Sequence, residues 1–282
     1  MHGFVTPDTL KRAVFLAPHF DDVALSCGGT VALLAELGIR SLILTVFGGE
    51  PPGELSPFAR RQHRWRGLDD AAVVALRREE ERAAAEHLGA EAAWFDAPDA
   101  IYRGMRYSSE TELFGPVHPD DLPLVEHLLT LVEERIACDR CTAVLFVPLA
   151  VGNHVDHQIV RTIGLTLAAR GQVVWGYEDL PYAAAPGGLD ECRHLADRYS
   201  GAPPWLVFLS EGAFQHRLAA IRCYRSQIPF IFRELGDVEA TLRGYTSTVG
   251  RGRLAERFWQ LRTPRDGTAE VPTGRIVHVQ EG

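Results

Sequence analysis

The sequence predicts an α/β protein of three layers: a mostly parallel, twisted sheet between helices, a functional site at the carboxyl ends of the strands, and a C-terminal elaboration. Three observations predict it. Short β-branched and aromatic runs alternate with helix-like segments as far as residue 177, which is the pattern of βαβ units. Glycines at 38 and 89 close two of those helical segments. Two of the runs lead straight into clusters of His and Asp, and right-handed crossovers bring all such strand-end loops to one rim of the sheet.

The elements follow in order. Ala13-Val14-Phe15-Leu16-Ala17 is a buried strand, followed by a helix over about 28–37 and the strand Ser41-Leu42-Ile43-Leu44-Thr45-Val46-Phe47. Residues 48–70 form a polar loop with Gly, Pro and Arg. A charged helix runs through Arg77–Leu88 and a short strand through about Ala92–Phe95. Leu122, Val125, Leu129, Val132 and Ile136 recur at helical spacing, which predicts a helix over about 120–137. A strand over 143–149, a helix over about 157–169 and a strand over 173–177 complete the alternating part. Beyond 180, Pro181, Pro186, Gly187, Gly188, Pro203 and Pro204 mark a loop-rich region. Helices over about 211–225 and 254–261 and a terminal strand over 275–279 are expected there. No composition shift separates a second domain, so the chain reads as a single domain over 1–282, with a core of about 11–230 and an extension over 231–282.

Bulk properties bound the function. At 46% hydrophobic residues the 282-residue chain can bury a sizeable core. A net charge of −8 argues against nucleic acid, since phosphate neutralisation needs a basic face. No apolar run approaches the roughly 20 residues of a membrane span, and the N-terminus lacks the basic-then-apolar layout of a signal peptide. Five scattered cysteines (27, 138, 141, 192 and 223) suit a reduced cytoplasm better than a disulfide framework. Cys138-Asp139-Arg140-Cys141 is an unpaired C-x-x-C between a helix and a strand, with neither the second pair of a zinc ribbon nor the strand-to-helix setting of a redox motif.

The chemistry concentrates in Pro18-His19-Phe20-Asp21-Asp22 and His154-Val155-Asp156-His157. Delivered from two strand ends, these clusters can meet over one point and supply three N/O ligands with a fourth position left for water, as a catalytic zinc site requires. Adjacent carboxylates at Asp21 and Asp22 repel unless a cation lies between them or one is solvated. His19 converges with Asp21 or with Asp22 only after the chain turns. Gly28 and Gly29 permit a tight turn into the helix and close backbone approach to a ligand. The plain alternative is that Asp21 or Asp22 caps the following helix. The second cluster tips the balance: His154 and His157, three apart at a helix start, share a side, with Asp156 available to orient an imidazole.

These motifs resemble a known family. Pro18-His19-x-Asp21-Asp22 with Leu25 and Gly28-Gly29 resembles the first signature of the N-acetylglucosaminyl-phosphatidylinositol de-N-acetylase (PIG-L, LmbE-like) family, and His154-x-Asp156-His157 its second. Arg77-Arg78-Glu79-Glu80 with Ala84-Ala85 and Leu88-Gly89 is similar to the family's Arg-x-x-Glu helix. Pro98-Asp99 resembles the turn after its next strand. Arg217–Ala220 and Tyr224-Arg225-Ser226-Gln227 resemble its Ser-Gln helix. The resemblance covers roughly residues 11–230.

It implies a Rossmann-like zinc-dependent hydrolase that removes an N-acyl group, with one Zn2+ per chain. The metal ligands would be His19, Asp22 and His157, and Asp21 the general base for the attacking water. His154 would stabilise the oxyanion or protonate the leaving amine, held by Asp156. Arg77 and Asp99 would contact sugar or polyol hydroxyls. The implied partner is a small N-acetylated sugar or glycoconjugate. Family substrates span GlcNAc-phosphatidylinositol, GlcNAc-inositol and GlcNAc-malate thiol precursors, thiol conjugates and antibiotic glycosides; an acidic chain without a membrane-seeking helix disfavours the lipid-linked one. Phe20 and Val155 stand where the family often has proline. Gly152 stands where some relatives carry an oxyanion-stabilising tyrosine, so either His154 acts alone or Tyr102 or Tyr182 reaches in.

Other readings compete. Gly152-Asn153-His154 is similar to a segment of two-metal phosphoesterases, but the Asp-x-His pair they need is absent from the early strand ends. An amidase acting on a thiol conjugate, and a zinc-retaining sugar-binding module without activity, are the alternatives; a base at Asp21 argues against the module. Loop 48–70 is expected to wall the substrate, with Trp65 as a platform for a sugar face, its plain alternative being a solvated loop or a contact within a homo-oligomer. Tyr102-Arg103-Gly104 offers a further substrate contact, with Arg103 suited to a phosphate or carboxylate. Glu178-Asp179 could bind hydroxyls, although a cap is the simpler use.

Overall fold

The computed structural model describes residues 12–137 and 143–262. The first half-sheet is built from β1 (Arg12–Ala17), α1 (Asp22–Glu36), β2 (Arg40–Thr45), α2 (Pro57–Arg66), α3 (Val73–Leu88) and β3 (Glu91–Trp94). A connection carrying α4 (Glu110–Leu113) leads to α5 (Leu122–Ala137), β4 (Ala143–Pro148), α6 (Val155–Ala169) and β5 (Val174–Tyr177). The remainder is α7 (Gly188–Tyr199), β6 (Trp205–Phe208), α8 (Glu211–Ile221), α9 (Ile228–Ile231), α10 (Val238–Val249) and β7 (Ala255–Gln260). No helix among the described residues is long and apolar enough to cross a membrane.

The sheet runs β3-β2-β1-β4-β5-β7-β6. β1 to β5 are parallel neighbours, and β7 lies antiparallel to both β5 and β6. β1 and β4 are buried along their whole length, which is why both read as unbroken apolar runs rather than alternating ones. Their paired residues Phe15 and Phe146 stack at 4.4 Å between ring centroids. The chain moves outward from β1 to β2 and β3 in one direction and from β4 to β5 in the other. The order therefore reverses between β1 and β4, and a crevice opens at their carboxyl ends, where sheets of this kind bind ligands. Both His/Asp clusters leave those two strand ends.

α1 packs with α3 and α8, and α6 with α5. α1 begins at Asp22, earlier than the sequence suggests, and kinks at Cys27 (φ −146°, ψ 21°). A buried ion pair satisfies the backbone around the kink. Arg217 donates to the carbonyls of Ala24 and Leu25, while Glu256 accepts from the N–H groups of Gly29 and Thr30 and sits 3.0 Å from Arg217. Gly28 and Gly29 thus lie inside the helix against protein. A Cβ at Gly29 would fall 2.5 Å from Leu209 and 2.9 Å from Glu256. Close approach there is by neighbouring side chains, which replaces the expectation of a ligand.

Several sequence expectations need correction. Residues 48–70 contain α2, capped by Ser56 with Pro57 in its first turn and closed by left-handed Gly67. The segment 254–261 is strand β7, not a helix. Leu254, Phe258 and Leu261 fall at helical spacing, but Glu256 and Arg257 are consumed by buried partners rather than by a solvated face. α7, β6 and α10 occupy stretches read as loop or left unassigned. The C-x-x-C at 138–141 and the expected strand at 275–279 lie outside the described residues.

Candidate active site

The loop after β1 turns sharply to bring its ligands together. Asp21 adopts φ 93°, a left-handed conformation that costs energy for a residue with a Cβ. Asp22 then opens α1, and its Oδ2 accepts the His19 backbone N–H at 2.8 Å. In the loop after β4, His154 caps α6, its Nδ1 accepting the Asp156 N–H at 3.2 Å. His157 follows within the first turn. The His19, His154 and His157 ring centroids lie 4.9–5.4 Å apart.

Asp22 Oδ2 is 3.5 Å from His19 Nδ1 and 3.5 Å from His157 Nε2. Ligand atoms about 2.0–2.1 Å from a tetrahedral zinc stand about 3.3 Å from one another, so these separations fit one shared ion. The far nitrogens of both rings face carboxylates. His19 Nε2 is 2.9 Å from Asp156 Oδ2, and His157 Nδ1 is 2.6 Å from Asp179 Oδ1. A carboxylate behind each imidazole is the usual arrangement for a metal-bound histidine, since it fixes the tautomer and aims the free lone pair. Two other trios lie close together, His19 with His154 and His157, and His19 with Asp99 and Asp156. In the second of these the His19–Asp156 hydrogen bond already satisfies Nε2, which leaves Nδ1 free to face Asp22.

Electrostatics agree with a cation. Burial pulls His19 and His157 down, but the surrounding carboxylates outweigh it and raise both imidazoles, Asp99 leading for His19 and Asp22 for His157. The same field favours a divalent ion. Burial raises Asp22, yet His157 and His19 outweigh it and hold the carboxyl down at about 2. Asp21 goes the other way: burial lifts it to about 7, opposed by Arg77 and reinforced by Asp22. Two neighbouring carboxylates are thereby separated into a permanent anion and a group that exchanges protons near neutrality. Burial, then His19, pushes His154 well below the usual imidazole range. It is a neutral ring, and with Nδ1 accepting a backbone N–H its proton resides on Nε2.

These groups form the floor of a cavity of about 570 Å3, within the roughly 300–1,000 Å3 typical of small-ligand sites. Arg77 and Asp99 stand on its wall, with Arg77 Nη1 3.9 Å from Asp99 Oδ2 and Nη2 3.9 Å from Asp21 Oδ1. Tyr102 lines it too, its hydroxyl 2.7 Å from His63 Nε2. Tyr182 lines the opposite side and packs on Gly152, where a Cβ would fall 2.6 Å from its ring. Tyr182 thus occupies the space beside Gly152 that a side chain at 152 would need.

Four expected roles change. The Asp156 side chain is bonded to His19, Ala100 N–H and Arg103 rather than to the His154 ring, so it orients the His19 imidazole. Arg103 is buried against Asp156 and Asp121 and does not line the cavity, which removes it as a substrate contact. Trp65, 51% exposed, does not itself line the cavity but stacks on Phe230, which does. Asp179 holds His157 and the Val151 N–H, while Glu178 is held by Tyr245, Arg257 and Trp259, so neither serves substrate or caps a helix.

Two further groups carry no sequence assignment. Glu81 accepts from the Tyr224 hydroxyl at 2.6 Å and from the Asp21 N–H at 3.3 Å, bracing the strained residue. His63, bonded to Asp70 and Tyr102, forms part of the wall through α2. The Ser56-Pro57 start and Gly67 stop were the signal for that helix.

A two-strand crevice holding this His/Asp centre defines a class, and the chain belongs to the PIG-L (GlcNAc-PI de-N-acetylase) family, matched over residues 14–168. It is 32% identical over 280 residues to the 2'-N-acetylparomamine deacetylase of Niallia circulans, covering 90% of this chain and 92% of that protein. Among solved structures it is similar to the A40926 pseudoaglycone deacetylase Dbv21, with 27% identity and a TM-score of 0.73 over 89% of this chain and 97% of that one. The zinc-inhibited form of teicoplanin deacetylase Orf2 matches with 26% identity and a TM-score of 0.73 over 88% and 97%. This chain is an enzyme of that kind, a hydrolase that acts as an N-deacetylase.

Proposed function

We propose that this N-deacetylase removes the acetyl group from an N-acetylglucosamine-type sugar carried in a glycoside, using one zinc ion held by His19, Asp22 and His157. The observation that carries the reading is the position of Asp22 Oδ2, 3.5 Å from a nitrogen of each imidazole while both rings are backed by carboxylates. A zinc ion bound there supplies Lewis acidity for the amide carbonyl and brings the pKa of a water towards about 7. Asp21, with its carboxyl near 7, takes the proton of the attacking water and passes it to the departing amine. His154 donates from Nε2–H to the carbonyl oxygen as negative charge develops there, and Tyr182 provides a second donor from the wall. Arg77 and Asp99 bind hydroxyls of the sugar ring.

The named relatives are deacetylases of 2'-N-acetylparomamine and of the A40926 pseudoaglycone. A cavity of about 570 Å3 accommodates an acetylated sugar together with part of what it is attached to. The described residues act as a single domain, because β7 is inserted between β5 and β6 and so ties the C-terminal part to the sheet. Free, buried Cys27 and Cys192 support a reducing cytoplasm as its place of work. The test is acetate release by zinc-loaded protein from N-acetylglucosamine, its glycosides and 2'-N-acetylparomamine, with Asp21→Ala alongside. Release by wild type and its loss in a variant of unchanged zinc content support the reading; release by neither, or equally by both, overturns it.

A further inference from the structure

We propose that Arg103 is a positioning residue that sets the affinity of the site for its metal, acting through Asp156 on His19. The inference rests on the metal centre described above and concerns residues that never touch substrate.

The side chains form a continuous buried chain. His19 Nε2 lies 2.9 Å from Asp156 Oδ2, which also accepts the Ala100 N–H at 2.9 Å. The other oxygen, Oδ1, accepts from Arg103 Nη2 at 2.5 Å. Arg103 Nε is in turn 3.2 Å from Asp121 Oδ2. Asp121 is anchored by the Tyr107 hydroxyl at 2.8 Å and by Arg106 Nη1 at 2.6 Å. Asp156 and Asp121 are fully buried, and Arg103 is nearly so, its guanidinium within 5.1 Å of the ring centres of Phe47 and Tyr107.

A carboxylate so completely removed from water stays ionised only when paired. Arg103 supplies that pairing for Asp156. As an anion Asp156 only accepts hydrogen bonds, so His19 must present Nε2–H to it. That tautomer leaves the lone pair on Nδ1, the atom 3.5 Å from Asp22 Oδ2. Arg103 therefore decides which nitrogen of His19 is free and where it points. Its guanidinium also forms an ion pair with Asp121, which links Asp156 to the segment that leads into α5. A lysine would restore the charge, but as a point donor it would not span both carboxylates in the same geometry.

The experiment is competition for Zn2+ between a chromophoric chelator and the metal-free protein, with melting curves of each metal-free variant in parallel. Changes to groups behind metal ligands cost about 10- to 100-fold in affinity, and Arg103→Met should fall in that range, with Arg103→Lys between it and wild type. A role confined to stability would lower the melting temperature while leaving the zinc affinity of the folded protein unchanged, and that result overturns the proposal. Should Arg103→Met fail to fold, Arg103→Lys decides: several-fold weaker binding supports it, wild-type affinity overturns it. Wild-type protein that binds no zinc would sink the metal reading itself, whereas tight binding by wild type and variants alike would sink only this inference.

Discussion

Asp179 Oδ1 lies 2.6 Å from His157 Nδ1, so a carboxylate from the end of β5 orients an imidazole at the start of α6. Asp156 does the same for His19 across the crevice. The two pairs aim lone pairs at the space beside Asp22 from opposite sides of the point where the strand order reverses.

Replacing Asp179 with Asn keeps the shape but removes the charge behind His157. Zinc affinity should fall about 10- to 100-fold, read by chelator competition on protein whose melting curve stays cooperative. Unchanged affinity would remove Asp179 from the centre.

Asp21→Asn should lower kcat about 10²- to 10⁴-fold, the usual contribution of a general acid–base group. Zinc content should be unchanged, because Asp21 is not one of the three proposed ligands and its carboxylate lies 3.9 Å from Arg77. Loss of zinc together with activity would make Asp21 a ligand instead of the base.

His154→Gln should cost about 10²- to 10³-fold in kcat, as removal of an oxyanion donor does. Tyr182→Phe should cost less than His154→Gln, with KM little changed in either. A rise in KM alone would move Tyr182 from oxyanion stabilisation to substrate binding.

Burial raises Glu81 to about 7, against the Tyr224 hydroxyl that favours its anion. A carboxyl whose folded pKa exceeds its unfolded value supports the fold fully below about 4.5, and that support is lost as pH rises through about 7. Moving it that far costs roughly 3 kcal/mol, at about 1.4 kcal/mol per pH unit. Metal-free wild type should therefore melt lower at pH 8 than at pH 5.5 by more than Glu81→Gln does. Parallel pH profiles for the two proteins would contradict this.

Gly29→Ala should destabilise by about 1–3 kcal/mol, because the new methyl collides with Leu209 and with Glu256, which holds the α1 kink. Denaturant titration measures it, and a neutral result would mean that β7 shifts freely against α1.

The parallel half of the sheet was legible because β1 and β4 are buried on both faces, which makes them almost wholly apolar from Ala13 and from Ala143 onward. That the two His/Asp clusters meet at one crevice was legible too, since both follow strands that lie side by side. What the chain alone determined was therefore local: periodicity, capping, and the residue types each loop carries. Which carboxylate backs which imidazole was not local. Asp156 lies one residue from His157 and two from His154 yet serves His19, 137 positions away, while His157 takes Asp179. Arg103 has the residue type of a phosphate contact and faces away from the cavity. Leu254 to Leu261 carries the spacing of a helix and lies in the sheet, because Arg217 and Glu178 neutralise its charges there. Tertiary structure decided these matters because a buried charge takes whichever partner the packing brings within about 3 Å, and separation along the sequence has no bearing on that distance.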